Sequence, residues 1–150
     1  MVQVKKILCA VDFSEASKEV AGYAAYMAGS LKAEVLVLYV APSLSQYVGF
    51  HVPPSSIESF VKEIVAGADK SMEAFLSEHF KGLSVRGEVV TGYAAEEILN
   101  IAEEEKADMI IMGTHGRRGI DRILFGSVAE RVVKNARCPV LTVRPGMAYT

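Results

Sequence analysis

The chain contains no tryptophan, only two cysteines and no long apolar run, and each scarcity excludes a class of protein. Cys9 and Cys138 form no C-x-x-C pair, so a metal site or redox motif is not expected and both are predicted to be small apolar packing residues. The longest apolar stretch, VLVLYVA, is far shorter than the ~20 residues of a membrane-spanning helix. The five apolar residues before Asp12 are too few for a signal peptide, and a cytoplasmic location is expected.

The chain also has no large excess of charge of either sign. The chain has 16 basic and 18 acidic residues, and its formal net charge is −2. A protein so balanced has no global positive field with which to hold nucleic acid or an anionic membrane, so any anion site must be local. Its 150 residues suffice to bury a sizeable core, and we predict a single domain over 1–150.

Five short segments rich in valine, isoleucine and leucine predict β-strands. They are residues 5–11, 34–40, 83–90, 107–112 and 139–143. Most are continuously apolar, which is typical of parallel strands that are covered on both faces. The segment LSVRGEVV instead places Arg86 and Glu88 among its apolar residues, and we therefore predict that it lies at an edge of the sheet.

Four segments between the predicted strands have the period of amphipathic helices, as in the spacing of Ala95, Ile98 and Ala102. Alternation of strand and helix predicts an open five-stranded parallel sheet with helices on both faces, a three-layer α/β/α fold of the Rossmann-like class. The segment 41–56 is rich in proline and serine and has no period, so it is predicted to be an unusually long connection.

The sequence GTHGRRGIDRILFGS, residues 113–127, follows the fourth predicted strand directly. Ligands of open parallel sheets bind outside the carboxyl ends of the strands. Glycines let the backbone approach a ligand closely, and a helix that begins near Ser127 would offer unpaired N–H groups to a phosphate. His115 and the arginines 117, 118 and 122 would add positive charge. This segment predicts a phosphate site, although neither a P-loop nor a G-x-G-x-x-G motif is present.

Two of the polar positions also have a purely structural interpretation. Ser127 and Glu130 form the S-x-x-E pattern of a capping box, so Ser127 could simply start a helix. Asp12 and Glu15 form D-x-x-E after the first strand and could cap the first helix. Both interpretations are compatible with ligand binding, and the sequence leaves them open.

The spacing Gly113-x2-Gly116-x9-Gly126-Ser127 resembles the ATP-binding signature of the universal stress protein family, and blocks along nearly the whole chain resemble that family in order. The resemblance implies a Rossmann-like fold related to adenine nucleotide alpha-hydrolases, with ATP or AMP bound at the carboxyl ends of the strands. It also implies a homodimer joined through the last strand, 139–144. The residues that it assigns to the nucleotide are Ala10, Val11, Asp12, Val40, Gly113, Thr114, His115, Gly116, Arg117, Gly126, Ser127 and Val128.

The resemblance also implies roles for single residues. Asp12 would lie near the ribose and could help the phosphates to hold Mg²⁺ or Mn²⁺, while the backbone of Val40 would pair with the adenine edge. Hydrolysis needs a group that orients or activates water, and neither Asp12 nor His115 has a visible orienting partner. We therefore expect a binding protein with slow or no turnover and assign no catalytic residue. The alternative is a nucleotide-independent, dimeric interaction protein in stress tolerance.

Overall fold

A computed structural model describes residues 1–43, 53–115 and 126–146. Strands and helices alternate along the chain as β1 (Lys6–Ala10), α1 (Glu15–Leu31), β2 (Glu34–Ala41), α2 (Pro54–His79), β3 (Val85–Thr91), α3 (Ala94–Glu104), β4 (Met109–Gly113), α4 (Ser127–Asn135) and β5 (Val140–Val143). The strands form one sheet in the order β3-β2-β1-β4-β5, and every neighbouring pair is parallel. The predicted α/β fold with an open five-stranded parallel sheet is confirmed.

The strands begin and end within two residues of their predicted limits. β3 lies at one edge, as predicted, and the exposed fractions of the Arg86 and Glu88 side chains there are 54% and 37%. β5 forms the opposite edge. The alternation of charged and apolar residues in the sequence therefore identified the strand that has only one face to bury.

Two cores cover the two faces of the sheet. Ile7 and Cys9 of β1 pack with residues of α1 and α2, whereas Leu8 between them packs with residues of α3 and α4. Because successive side chains of a strand point to opposite faces, a central strand with both faces buried must be apolar at every position. This explains the continuous apolar runs of the sequence.

Both cysteines are packing residues, as predicted. Cys9 is fully buried, and desolvation raises the pKa of its thiol to about 12, so the thiol stays protonated and inert. Cys138 is half-buried against the α3 and α4 core, and its pKa is raised first by burial and then by the charge of Asp108. Within the described ranges, no helix is both long and apolar enough to cross a membrane.

The predicted long connection 41–56 is shorter at both ends than the sequence suggested. Ala41 is the last residue of β2, and α2 already begins at Pro54 after Pro53 as its N-cap. Proline is well tolerated in the first helical turn because the N–H that it lacks would have no intrahelical partner there. Residues 44–52 lie outside the described part of the chain.

Candidate functional site

A cavity of about 570 Å³ opens at the carboxyl ends of β1, β2 and β4. β1 pairs with β2 on one side and with β4 on the other, so the order of strands along the chain reverses here. This switch point is where open parallel sheets bind ligands, and the volume suits a small molecule. The N-terminal ends of α1, α3 and α4 contribute Ser14, Ala94 and Ser127 to its walls.

All of the predicted site residues that the structure describes line this cavity. They are Ala10, Val11, Asp12, Val40, Gly113, Thr114, His115, Gly126, Ser127 and Val128. Gly116 and Arg117 lie outside the described residues. The structure thus brings together residues from β1, β2, β4 and α4, while their role in binding stays a prediction.

The cavity has an apolar side and a polar side. Leu38, Met112 and Ile98 line it and belong to the core between the sheet and helices α3 and α4. Asp12 and Ser14 line it from the connection between β1 and α1. The cavity could therefore bind a ligand that has a flat apolar group at one end and a polar or charged group at the other.

Asp12 braces the start of α1 without being its cap. Its Oδ1 accepts hydrogen bonds from the backbone N–H of Ser14 at 3.0 Å and from the hydroxyl of Ser17 at 2.9 Å. The N-cap residue is Ser14 and the helix begins at Glu15, so the D-x-x-E interpretation was wrong about which residue caps the helix. Asp12 instead organises the loop from two residues before the N-cap, and its carboxylate remains at the cavity wall.

Phe13 turns the chain sharply between Asp12 and Ser14. Its φ of 60° is in the left-handed region, which a bulky side chain rarely adopts and which costs about 1–3 kcal/mol. The ring packs against Tyr39 at 4.9 Å and Phe75 at 5.6 Å between ring centroids. This aromatic cluster stabilises the strained turn, which places the residues on both sides of Phe13 at the cavity.

Thr114 joins β4, β5 and α4 at the base of the glycine-rich segment. Its N–H donates to the carbonyl oxygen of Val143 at 2.9 Å, and its own carbonyl accepts from the N–H of Gly126 at 2.7 Å. The Thr114 side chain is buried, and its Oγ1 lies 3.0 Å from Nδ1 of His115. The two ends of the segment 115–126 are therefore held together through one residue.

Gly126, and not Ser127, is the N-cap of α4. Ser127 is the first helical residue, and the carboxylate of Glu130 pairs with Lys134 at 2.9 Å instead of turning back to the helix start. The capping-box interpretation was therefore wrong. A Cβ atom at Gly126 would lie 3.2 Å from the carbonyl oxygen of Thr114, so the close approach of these two backbones favours glycine.

Positive charge is scarce in the described part of the cavity wall. Its lining residues include the carboxylate of Asp12 and the imidazole of His115 but no lysine or arginine. Within the described wall, the N-terminal ends of α1 and α4 can attract an anion, because their first N–H groups have no partner within the helix. The arginines 117, 118 and 122 lie outside the described residues.

Sequence reasoning missed several lining residues, among them Ser14, Leu38, Ile98 and Met112. Ser14 was open to prediction, since a serine just before a helix at the carboxyl end of a strand is a recognisable signal. In the sequence, Leu38, Ile98 and Met112 resemble any other core residue. Only the tertiary arrangement distinguishes those that face a cavity.

A larger hollow of about 1030 Å³ lies at the other end of the strands, beside the starts of β1, β2 and β3. It is more open, and its walls include the exposed Val2 and residues at the end of α1. None of the predicted site residues that the structure describes lines it. The smaller cavity at the carboxyl ends of the strands is the better candidate, because its walls combine helix N-termini, glycines and buried polar atoms.

Comparison with known proteins identifies the family. The model of the universal stress protein family matches residues 3–144. Universal stress protein MJ0531 of Methanocaldococcus jannaschii is 42% identical over 142 residues, which cover 93% of this chain and 82% of that protein. Universal stress protein MJ0577 of the same organism is 37% identical over 157 residues, covering 95% and 96%.

The solved structures agree with this assignment. That of MJ0577 has a TM-score of 0.86 at 32% identity and covers 98% of this chain and 100% of that one. The universal stress protein from Archaeoglobus fulgidus in complex with dAMP has a TM-score of 0.67 at 21% identity, with coverage of 95% and 98%, and so shares the fold. With the family model matched over nearly the whole length and a relative 42% identical, this chain belongs to the universal stress protein family.

Proposed function

We propose that this chain binds an adenine nucleotide in the cavity at the carboxyl ends of β1, β2 and β4. The observation that carries the proposal is the position of this cavity at the switch point of the sheet, where helix N-termini and glycines line its wall. Helix N-termini favour anions, and glycine permits close contact with phosphate. The protein would act as a single cytoplasmic domain that senses or stores nucleotide.

The apolar and polar sides of the cavity would bind different parts of the ligand. The base would lie on the apolar side, among Leu38, Ile98 and Met112, with its edge at the backbone of Val40. The ribose would lie near Asp12, whose carboxylate suits hydroxyl donors. The phosphates would follow the glycine-rich segment from position 113 to the start of α4. The dAMP held by the A. fulgidus protein is a ligand of this same class.

A divalent cation would depend on the nucleotide. No group of three acidic, histidine or cysteine residues that could hold a metal occurs in residues 1–43, 53–115 and 126–146. Mg²⁺ is commonly held by one or two carboxylates together with substrate phosphates, and Asp12 at the cavity wall fits that pattern. The ion would neutralise charge on the phosphates, and the protein alone would not retain it.

Hydrolysis is proposed to be slow or absent. Asp12 and His115 are the groups of the described wall that could take a proton near the phosphates. Oδ1 of Asp12 already accepts two hydrogen bonds, and Nδ1 of His115 lies beside the Thr114 hydroxyl. These contacts hold the two side chains in place, and we propose that they serve binding and not the activation of water.

The first experiment is to measure ATP, ADP and AMP binding to the purified, nucleotide-free protein by titration calorimetry, with and without Mg²⁺. We expect saturable binding of at least one of them and a rise in melting temperature that grows with ligand concentration, because only the folded state binds. Phosphate release is assayed on the same samples and is expected to be slow or absent. A protein that binds none of the three would contradict the proposal.

We also propose a homodimer joined through β5. The other edge strand, β3, exposes Arg86 and Glu88, charges that discourage pairing with a second sheet. β5 has the sequence VLTV, without charge, and 37% of Leu141 is exposed. An uncharged edge of this kind can be covered by the same strand of a second copy around a two-fold axis.

Replacing Leu141 by lysine is expected to convert the dimer into a monomer. A two-fold axis would bring the lysines of both copies close together, and their like charges would repel. Light scattering after size-exclusion chromatography should give about twice the 16.2 kDa chain mass for the parent and the chain mass for the variant. Leu31→Lys is the matched control, since Leu31 is similarly exposed, at 43%, on α1. A monomeric parent protein would rule the interface out.

The same experiment bears on the alternative that the protein is a nucleotide-independent interaction partner. A dimer that forms without nucleotide, together with no binding in the calorimeter, would favour that alternative. A protein that binds nucleotide whether or not Leu141 is replaced would show that the cavity works within one copy.

A further inference from the structure

Two buried side-chain atoms at the cavity have no hydrogen-bond partner in the described part of the chain: Oγ of Ser14 and Nε2 of His115. Both residues line the cavity, Ser14 from the start of α1 and His115 from the end of β4. Leaving a buried polar atom unpaired costs free energy, so such atoms are rare and call for an explanation. A ligand in the cavity would supply one.

Ser14 occupies a position at which its hydroxyl would ordinarily serve the helix. An N-cap serine normally accepts a hydrogen bond from an N–H of the first turn, but the hydroxyl of Ser14 makes no such bond. The N–H of Ser17 is bonded to the backbone carbonyl of Ser14, and the hydroxyl of Ser17 is bonded to Asp12. The helix start is therefore organised without the Ser14 side chain.

His115 has one ring nitrogen engaged. Its Nδ1 lies 3.0 Å from Oγ1 of Thr114, a buried residue that is itself bonded through its backbone to Val143 and Gly126. When the Thr114 hydroxyl donates to Nδ1, the ring proton is on Nε2, which becomes a donor. The contact with Thr114 thus orients the imidazole and leaves Nε2 for another group.

We infer that Ser14 and His115 donate hydrogen bonds to phosphate oxygens of the nucleotide, from the α1 side and the β4 side of the cavity. The inference rests on the proposed function and adds to it the residues that recognise the phosphate chain. Phosphate oxygens accept hydrogen bonds and do not donate them, which suits two donor groups. The partial positive charge at the start of α1 acts in the same direction.

The acidic residues near this position do not oppose an anion strongly. Glu15, in the first turn of α1, has 90% of its side chain exposed and pairs with Lys18 at 3.3 Å. Asp12 lies at the wall, but the two hydrogen bonds to its Oδ1 offset part of its charge. The Asp12 carboxylate would thus contact the ribose or the metal, whereas Ser14 and His115 would contact the phosphates.

The test compares the affinities for ATP and for adenosine, the latter by competition, in the full-length protein and in Ser14→Ala, His115→Asn and His115→Gln. Ser14→Ala and His115→Asn should each weaken ATP about tenfold or more and leave adenosine unchanged, since each removes a hydrogen bond to a charged group. The side-chain amide of asparagine reaches only the position of the histidine Nδ1, whereas the amide of glutamine reaches the position of Nε2. We therefore expect His115→Gln to retain most of the ATP affinity.

Ser30→Ala, an exposed position on the same helix, is the matched control and should change neither affinity. Without nucleotide, the melting temperature of Ser14→Ala should not fall below that of the parent, because the lost hydroxyl makes no cap bond. Equal weakening of ATP and adenosine, or unchanged ATP binding, would overturn the inference while leaving the proposed function intact. A parent protein that binds neither ligand would overturn both.

Discussion

Replacing Gly126 by valine is expected to lower the affinity for adenine nucleotide by about 100-fold, which corresponds to about 2.7 kcal/mol. The new Cβ would lie 3.2 Å from the carbonyl oxygen of Thr114, so the bond from the Gly126 N–H to that carbonyl would have to lengthen. The start of α4 and the end of β4 would then move apart. Because the proposed phosphate path runs between them, the N–H groups that face the ligand would lose their positions.

The comparison needs a glycine whose replacement leaves the cavity alone. Gly22→Val on α1 is suitable, because a Cβ there would meet nothing within 4 Å. Titration calorimetry on both variants and the parent gives the affinities, and circular dichroism checks that each is folded. We expect Gly126→Val to remain folded, since its φ of −73° is open to any residue. Unchanged affinity in that variant would mean that Gly126 serves the fold alone.

Replacing Gly87 by valine is expected to lower the free energy of unfolding by about 3 kcal/mol. Gly87 lies in β3 beside α2, and a Cβ there would overlap Cγ of Met72 and come within 2.7 Å of its Sδ. Leu76 is also close, with Cδ1 at 3.1 Å. Met72 is buried, so its side chain can yield only by disturbing the packing between α2 and the sheet. Urea denaturation followed by circular dichroism measures the loss.

A double-mutant cycle with Met72→Ala separates this overlap from other effects of valine. Met72→Ala alone should cost about 2–5 kcal/mol by leaving a cavity, and valine at position 87 should partly fill it. The double variant is therefore expected to be at least about 1 kcal/mol more stable than the sum of the single effects predicts. Strict additivity would show that the contact between Gly87 and Met72 does not limit what position 87 can hold.

The fold was predictable because its signals are local and repeated. Continuous apolar runs arise from strands that are buried on both faces, and the charged residues of β3 arise from its place at an edge. The glycine spacing from Gly113 to Gly126 lies within one connection, so it too is visible in the sequence. These patterns depend on residues a few positions apart.

Exact helix starts were less predictable, and α4 shows why. The S-x-x-E pattern of Ser127 and Glu130 reads the same in the sequence whether the serine is the N-cap or the first residue of the helix. The helix start is decided by the Gly126 N–H, which bonds to the carbonyl of Thr114 at the end of β4. A contact across a connection of this length leaves no signature in the local pattern.

The sequence by itself determined the order of the elements, the parallel sheet, the edge position of β3 and the connection that carries the glycines. The tertiary structure decided which polar atoms are used up by the fold and which remain for a ligand. Ser14 and Ser17 are alike in the sequence, but one hydroxyl is bonded to Asp12 and the other has no partner in the described chain. That difference depends on the strained turn at Phe13, which is held by Tyr39 and Phe75 from distant elements. Local periodicity encodes burial, whereas hydrogen-bond partners are set by contacts between segments far apart in the chain.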